Sequence, residues 1–259
     1  MTQPVKISDI RAESISIQTD RSERRQMLAG EISGASVFNY TFPAGAEELF
    51  AGSESFISIF FLCSGSACFS SAGKDMSFDG KAVFTALYGQ EVKLSALSGI
   101  SLLEIRWELN EQDKEDLKES KAFPYGMAYE DSPQYRDFFK SEKTISRAII
   151  PQAMIPRFAM GSVETRADDL IGQHAHPLLD QFFFSFPEND ALILIDSVIY
   201  PLGGNTLLHI PLGSNHGVIA LGDQYVHYLW MDFTPQELKK QAVEYLNEVH
   251  KPTGRKNRI

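Results

Sequence analysis

Histidine is missing from most of this sequence. The chain has 259 residues and six histidines, and none of them precedes His174. Imidazole is the usual side chain for binding transition metals and for moving protons near neutral pH. Chemistry that depends on it is therefore confined to the C-terminal part of the chain.

Cysteine and long apolar runs are also scarce. Cys63 and Cys68 are the only cysteines, and side-chain alternation along a strand turns them to opposite sides, which argues against a disulfide. Apolar runs such as Phe56–Cys63 fall far short of the roughly 20 residues of a membrane helix. The N-terminal stretch has no basic-then-apolar signal pattern. We expect a cytoplasmic protein that does not enter a membrane.

Positive charge is in deficit, with a formal net charge of −10. Binding to nucleic acid needs clustered Lys and Arg, and the one basic cluster is the tail at 250–258, which we interpret as a solvated terminus. The chain also lacks a GxxxxGK[ST] loop, a GxGxxG turn after a strand, a GxSxG elbow and a CxxC pair. These absences argue against nucleic-acid, nucleotide and serine-hydrolase chemistry.

The sequence does contain many short apolar runs separated by Gly and Ser, such as VFNYTF, FISIFFLC, RFAMGSVET and ALILID. Short strands at even spacing with glycine-rich turns are typical of a β-sandwich or barrel. Two polar segments interrupt the pattern. The first, Asn110–Lys121, predicts a helix with Asn110 as its N-cap, and the second, which opens on the capping box TPQE, predicts a helix over 235–249.

The strand-then-helix ending occurs twice. LEIRWEL is followed by NEQD, and HYLWMDF is followed by TPQE, with Trp107 and Trp230 in matching places. A unit that is repeated once predicts two similar domains. We place them at 1–125 and 126–259.

The candidate site begins with His174 and His176, two residues apart in a segment that leads into a strand. Because side chains alternate along a strand, both imidazoles face one side. Gln181 follows at the start of the run FFFSF, and the turn PLGSNH ends at His216. Alternation allows only one of Asp180 and Gln181 to share the histidines' side of the strand.

This arrangement resembles the two motifs of the cupin superfamily, which are HxH followed by an acid, and PxGxxH. In that family these side chains converge inside a small β-barrel and hold a divalent metal. The resemblance implies an all-β bicupin of two tandem jelly-roll barrels with short flanking helices, associated as a homodimer. It implies the metal ligands His174, His176, Gln181 and His216, with Gln181 in place of the usual Glu and Asp180 as the alternative.

The implied metal site is present in the second half only. An offset of 123 residues, the separation of the two tryptophans, carries the first three ligand positions back to Ala51, Ser53 and Ser58. One residue of further drift carries the fourth to Val92. None of these side chains is a metal ligand of the implied kind, so we expect the first barrel to have lost its site.

The resemblance implies a metal-dependent enzyme that acts on a small organic acid or a sugar-derived anion, either a dioxygenase or an isomerase or lyase. Neutral imidazoles and an amide suit Fe(II), Zn, Ni, Co or Mn, and they leave the ion's charge uncompensated, which favours an anionic ligand. The Gln ligand puts the family's Glu-dependent mechanisms in doubt. The alternative is a non-catalytic bicupin that binds a small molecule for sensing or storage.

Other polar side chains on the predicted strands could line the pocket or lie on an ordinary strand surface. They are Glu164, Arg166, Gln173, His209, His227, Tyr228, Trp230 and Asp232. Phe182, Phe184 and Phe186 put three rings on one strand face, which indicates core packing or a contact between the two halves.

Overall fold

The computed structural model describes residues 5–10, 16–17, 22–166, 168–241 and 244. Strands joined by tight turns make up most of this part of the chain. The first strands are β1 (Lys6–Asp9), β2 (Ser16–Ile17), β3 (Glu23–Met27), β4 (Ala35–Phe42), β5 (Glu47–Phe50), β6 (Phe56–Ser64), β7 (Ser66–Ser71), β8 (Lys74–Asp79), β9 (Ala82–Thr85), β10 (Val92–Ala96) and β11 (Ile100–Glu108).

Helix α1 (Glu111–Lys118) and β12 (Tyr125–Ala128) follow, and a 3-10 turn at Tyr129–Asp131 leads into the second set of strands. These are β13 (Gln134–Tyr135), β14 (Ile145–Ile155), β15 (Phe158–Arg166), β16 (Asp169–Ala175), β17 (Asp180–Ser185), β18 (Asp190–Ile195), β19 (Val198–Gly203), β20 (Thr206–Ile210), β21 (Asn215–Ala220) and β22 (Tyr225–Phe233). A further 3-10 turn lies at Gln236–Leu238.

The strands form two barrels, the first made of two sheets and the second of one 11-stranded sheet. In the first barrel the strand orders are β12-β9-β6-β11-β4-β3-β2 and β5-β10-β7-β8. In the second, the main path of the sheet runs β1-β20-β17-β22-β15-β14-β13, while β16, β21, β18 and β19 pair in that order and join it where β18 meets β22. The predicted all-β fold with two jelly-roll barrels is confirmed.

The larger sheet of the first barrel packs against the main path of the second, and residue alternation decides which core each side chain joins. On β6, Ile57, Ile59 and Phe61 face the core between the barrels, whereas Phe60 and Leu62 face the interior of the first barrel. Strands that are covered on both faces read as nearly continuous apolar runs. That is the reason FISIFFLC shows no polar alternation.

Phe182, Phe184 and Phe186 lie in the core between the barrels, each almost completely buried. Of the two interpretations of this aromatic face, the structure therefore selects the contact between the two halves. Across the same core the ring of Trp107 lies 5.1 Å from that of Phe233. Burying large aromatic rings from both barrels gives the pair of domains a common hydrophobic core.

The register by which Trp107 was matched with Trp230 is wrong. Trp107 faces the core between the barrels, but Trp230 packs against the interior of the second barrel. Because neighbouring residues on a strand face opposite ways, the counterpart of Trp107 by facing is an odd-numbered residue of β22 such as Phe233. The two tryptophans share a residue type but not a facing, although β11 and β22 occupy corresponding places in their barrels.

The pairing of the strands departs from the predicted boundary at 125/126 in two places. β1, near the N-terminus, pairs with β20 of the second barrel, and β12, which extends past the boundary, pairs with β9 of the first. Each segment supplies backbone hydrogen bonds to what would otherwise be an open edge. The two halves of the chain are thus tied together by strand exchange as well as by side-chain packing.

Helix α1 begins where the sequence predicts, and its cap is Asn110. The Asn110 side chain accepts from the Asp113 backbone N–H at 2.9 Å, and the Asp113 carboxylate accepts from the Asn110 N–H at 3.1 Å. Of the helix predicted over 235–249, the described part is 235–241 and 244, where a 3-10 turn at Gln236–Leu238 without a side-chain cap leads into helical residues 239–241. The rest of that helix and the basic tail lie outside the described residues. Among the residues that are described, no helix has the length and apolar character needed to cross a membrane.

Candidate metal centre

Three histidines converge inside the mouth of the second barrel. His174 lies on β16 directly opposite His216 on β21, and His176 follows just beyond the end of β16. One ligand nitrogen from each ring lies within 4.8 Å of the others. Two nitrogens bound to one ion at about 2.1 Å lie at most about 4.2 Å apart, so small ring rotations would complete a shared coordination.

The turn before His216 has the backbone that the PxGxxH pattern needs. Gly213 has a φ of +75°, and the Ser214 N–H donates to the Pro211 carbonyl at 3.0 Å. Glycine adopts a positive φ without the steric strain that other residues meet there, because it has no Cβ. The tight turn thus returns the chain into β21 with His216 beside His174.

The first barrel repeats this turn without the histidine. Gly89 has a φ of +77°, and the Gln90 N–H donates to the Leu87 carbonyl at 3.1 Å. Val92 follows the turn at the place that corresponds to His216. Equal geometry at both turns supports the origin of the two barrels in one repeated unit.

The positions matched to the metal ligands do meet in the first barrel. Ala51, Ser53, Ser58 and Val92 line a single small cavity of about 20 Å³. The hydroxyl of Ser58 donates to the buried carboxylate of Glu104 at 2.9 Å, so its proton is used within the protein. No three His, Cys or carboxylate side chains cluster there among the described residues.

Backbone carbonyls orient two of the three imidazoles in the second barrel. The Nδ1 of His174 donates to the Gly172 carbonyl at 2.8 Å, and that of His216 donates to the Ser214 carbonyl at 3.2 Å. A proton fixed on Nδ1 leaves the Nε2 lone pair free to bind a metal. This donor set fits a divalent transition-metal ion.

The three histidines are held in the neutral form. Burial lowers the pKa of His174 and of His176. Burial, together with the two neighbouring imidazoles, lowers the pKa of His216 to about 3. Because a metal binds only the neutral imidazole, the cluster is prepared for binding at neutral pH without first losing protons.

Gln181 and Asp180 point to opposite sides of β17. Gln181 is buried with the side chains that face the barrel interior, where its neighbour on that face, Phe183, packs against the His216 ring at 5.5 Å. The carboxylate of Asp180 instead accepts from the Leu212 N–H at 2.9 Å and lies 3.3 Å from the Nε2 of His209. The alternation expected from the sequence therefore places Gln181, and not Asp180, on the side of the three histidines.

The Gln181 side chain contacts the carboxylate of Asp232. The Gln181 side-chain N–H donates to Asp232 at 2.7 Å. This contact uses the amide nitrogen and leaves the amide oxygen for another partner. Burial raises the pKa of Asp232 to about 6, although Gln181 and the charges of Lys140 and His174 act in the opposite direction.

The connector between the barrels covers the mouth of this site. We refer to residues 134–140 as the covering segment. Its Phe139 ring stacks on the His174 ring at 4.6 Å, and its Phe139 carbonyl accepts from the Gly172 N–H at 2.7 Å. A Cβ on Gly172 would lie 3.3 Å from that carbonyl oxygen, so a side chain there would crowd the segment.

Charged groups of the covering segment also belong to the site. The ammonium of Lys140 lies 3.3 Å from the Asp137 carboxylate and 3.5 Å from the Tyr135 hydroxyl. Both charges are close enough to His174 and His176 to alter their pKa values. The sequence does not predict a role for these residues, because an irregular connector has no periodicity that shows where its side chains point.

Three of the residues that the sequence offers as pocket-lining candidates lie outside the pocket. Glu164 faces away from the barrel interior and pairs with Arg147 at 3.1 Å, and Arg166 lies over the Tyr225 ring at 4.8 Å. Gln173 is exposed at the rim, where it accepts from Asn215 at 3.2 Å. These contacts are those of the strand surfaces and not of the pocket.

The two strand histidines outside the motifs are buried between other groups. His209 lies between the carboxylates of Asp180 and Glu31, at 3.3 Å and 3.5 Å. His227 contacts the Tyr129 hydroxyl at 2.8 Å and Glu188 at 2.6 Å. For both residues the structure supports the interpretation as a buried strand histidine.

A larger cavity, of about 320 Å³, lies between the barrels and away from the histidines. Asp180, Arg157, Trp107 and Gln236 are among the residues that line it. The guanidinium of Arg157 is already bound to Asp113 at 2.6 Å. The convergence of metal-binding groups, and not cavity size, therefore identifies the candidate centre.

Comparison with known proteins identifies the fold. No protein-family model matches the sequence, and neither does any curated protein. Among solved structures, oxalate decarboxylase from Lactobacillus farciminis, in a formate complex, is 12% identical with a TM-score of 0.71 over 96% of this chain and 94% of that one.

Two further structures agree with this result. A single-residue variant of the oxalate decarboxylase of Bacillus subtilis is 12% identical, with a TM-score of 0.69 over 94% of this chain and 85% of its own. A cupin 2 conserved barrel domain protein from Leptotrichia buccalis is 10% identical, with a TM-score of 0.60 over 89% and 96%. The chain thus has the fold of the cupin superfamily, in its two-barrel form.

Proposed function

We propose that the protein is a metal-dependent enzyme that acts on a small organic acid in its second barrel. The observation that carries this proposal is the cluster of His174, His176 and His216, whose ligand atoms lie within 4.8 Å of one another inside the barrel mouth. Gln181 is the proposed fourth ligand, through the amide oxygen that its contact with Asp232 leaves available. Iron, zinc, nickel, cobalt and manganese all accept this donor set.

A divalent ion held by these residues would supply Lewis acidity toward a bound oxygen. The surrounding side chains would bind and orient the acid and move its protons. Asp232, Asp137 and Lys140 all lie close enough to the histidines to interact with them electrostatically. A barrel that only stored or sensed a ligand would need no such set, so these groups favour an enzyme over a binding protein.

Three neutral imidazoles and one neutral amide leave the charge of a divalent ion uncompensated, which favours an anionic substrate. The similar oxalate decarboxylases are named for the removal of carbon dioxide from oxalate, a small dicarboxylic acid. Their activity supports a lyase reaction on a carboxylic acid here. The dioxygenase alternative differs in consuming oxygen, which makes the two experimentally separable.

The proposal is tested by incubating the purified protein with Fe(II), Mn(II), Co(II), Ni(II) or Zn(II) and a panel of small acids that includes oxalate. Turnover is followed by ¹³C NMR with and without oxygen, beside His176→Ala. We expect one acid to be consumed by the wild type in an anaerobic sample and not by the variant. Binding of acids without turnover under any metal would contradict the enzyme and support the binding protein.

A homodimer and a cytoplasmic location stay predictions. Sedimentation equilibrium tests the first, since a dimer has twice the mass of the 29.0 kDa chain. Fractionation of cells of the source organism tests the second.

A further inference from the structure

The covering segment carries one positive charge into the barrel mouth. Only 8% of the Lys140 side chain is exposed, although lysine is among the side chains that are least often buried. An ammonium group in such a place must be stabilised by partners, because burying an unpaired charge is costly. The contacts of Lys140 therefore indicate which partner its ammonium group binds.

The partners that Lys140 has within the protein do not exhaust its hydrogen-bonding capacity. Its Nζ lies 3.3 Å from the Asp137 carboxylate and 3.5 Å from the Tyr135 hydroxyl. Both distances are long for a charge-assisted hydrogen bond, which is usually about 2.7–2.9 Å. An ammonium has three donors, so at least one remains for a group that is not part of the covering segment.

The position of Lys140 shows where such a group would lie. The next residue toward the N-terminus, Phe139, stacks on the His174 ring and binds the backbone of Gly172. The charge of Lys140 acts on the pKa values of His174, His176 and Asp232. His174 and Asp232 lie on β16 and β22, and the Phe139 contacts hold Lys140 next to the strand that carries His174.

The balance of charge favours an anion beside Lys140. Asp137 pairs with Lys140 at 3.3 Å, and the charge of Asp232 also acts on the pKa of Lys140. With a divalent ion bound to the neutral histidines, the ion and the ammonium together carry more positive charge than the two carboxylates carry negative charge. A substrate carboxylate would therefore be attracted by both positive centres.

We infer that Lys140 binds a carboxylate of the substrate while another oxygen of the same molecule occupies the metal. The inference rests on the proposed function and narrows its substrate class to small acids with two oxygen-bearing groups, such as dicarboxylic, oxo or hydroxy acids. Lys140 is then the residue that selects for an acid and orients it. A simple monodentate anion that binds only at the metal would depend on Lys140 much less.

Cobalt-loaded protein and two probe anions test this role. Malonate can reach both centres, whereas azide binds a metal ion alone. The dissociation constant of each anion is measured from the visible spectrum of the bound cobalt and by isothermal titration calorimetry. The variants are Lys140→Met, Lys140→Arg, which keeps the cation, and Lys143→Met, which removes an exposed lysine of the same connector.

For Lys140→Met we expect malonate to bind about tenfold more weakly or worse, with azide changed by less than about threefold. Lys140→Arg and Lys143→Met should stay close to the wild type. Unchanged malonate binding in Lys140→Met would overturn the inference and leave Lys140 as the structural partner of Asp137. Equal weakening of both anions would also overturn it, since the effect would then come from the metal site as a whole.

The experiment separates this inference from the proposed function. If the wild type takes up no cobalt, the metal centre itself is refuted, and the role of Lys140 falls with it. If cobalt binds and only the malonate result fails, the metal centre stands and Lys140 alone is reassigned.

Discussion

The side-chain amide of Gln181 donates a 2.7 Å hydrogen bond to the carboxylate of Asp232, with Gln181 buried and Asp232 partly buried. Gln181 is the residue for which the motif resemblance in the sequence implies an acid. A carboxylate is therefore present in this part of the barrel, in contact with the Gln181 amide. The contact also fixes the amide, because only its nitrogen can donate to a carboxylate.

A charge exchange between these two residues tests their relationship. Gln181→Glu alone places two carboxylates in contact inside the barrel, and we expect the metal-free protein to lose about 3 kcal/mol of unfolding free energy at pH 8. Asp232→Asn alone should cost less, because it leaves no charge unpaired. The double variant should recover most of the loss, and urea denaturation of all four proteins gives the coupling energy. Additive effects would show that the contact does not constrain the site.

The stacking of Phe139 on His174 predicts that the covering segment slows metal release. Phe139→Ala removes the ring that lies 4.6 Å from the imidazole, and an aromatic contact of this kind contributes about 1 kcal/mol. We expect the metal to leave about fivefold faster in a chelator competition.

The adjacent Phe138 provides the matched control for this measurement, since its side chain is fully exposed, at 105%. Phe138→Ala should release metal at the wild-type rate. Equal rates in Phe139→Ala and the wild type would show that the segment does not protect the site.

The low pKa of His216 predicts that the metal-free protein loses stability in acid. Its pKa is 6.5 in a model compound and about 3 in the folded protein, so below pH 6.5 the unfolded chain takes up a proton that the folded chain does not. The stabilisation is complete above pH 6.5 and falls as the pH decreases toward 3. Between pH 7 and pH 5 this residue should account for about 2 kcal/mol.

Asp232 changes the pH dependence of the unfolding free energy in the opposite direction from His216. Its pKa rises from 3.8 to about 6 on folding, so its contribution is complete below pH 3.8 and is lost as the pH rises through 6. Burial lowers the pKa of His174 and His176 as well. The three histidines together therefore outweigh Asp232, and we expect the protein to be less stable at pH 5 than at pH 7. Urea denaturation at pH 7 and pH 5 should show a smaller difference in His216→Gln than in the wild type. An equal difference would contradict the assignment.

The ion pair between Arg157 and Asp113 connects the barrels. Asp113 lies on α1 after the first barrel and is completely buried, and its carboxylate is 2.6 Å from the Arg157 guanidinium and 3.1 Å from the Lys239 ammonium. Asp113→Ala would leave the buried guanidinium without its carboxylate, and we expect a loss of about 3 kcal/mol of unfolding free energy. Asp116→Ala, which removes a more exposed partner of Lys239, should change it by less than about 0.5 kcal/mol. Similar losses in both variants would contradict a special role for the pair.

The motif residues could be predicted because local rules determine where they point. Strand alternation places His174 and His176 on one side and separates Gln181 from Asp180. Glycine at a positive φ fixes the turn before His216. The turn at Gly89 likewise identifies Val92 as the counterpart of His216.

The rest of the site depends on contacts between segments that are distant in the sequence. Lys140 belongs to an irregular connector whose path is set by its packing on β16, and nothing local indicates that packing. Asp232 is one of several alternating polar residues of β22, and only the register of β22 with β17 shows that it meets Gln181. The tryptophan alignment failed because residue type does not reveal which side of a strand faces the neighbouring barrel.

The central claim is that the three-histidine cluster holds a metal ion, and metal content tests it most directly. Protein purified without an affinity tag is analysed by inductively coupled plasma mass spectrometry, before and after incubation with divalent ions. The wild type is compared with His176→Ala and with His209→Ala, which removes a buried histidine outside the cluster. We predict a nearly stoichiometric ion in the wild type and His209→Ala and its loss in His176→Ala. No metal in any sample, or equal metal in all three, would contradict the account.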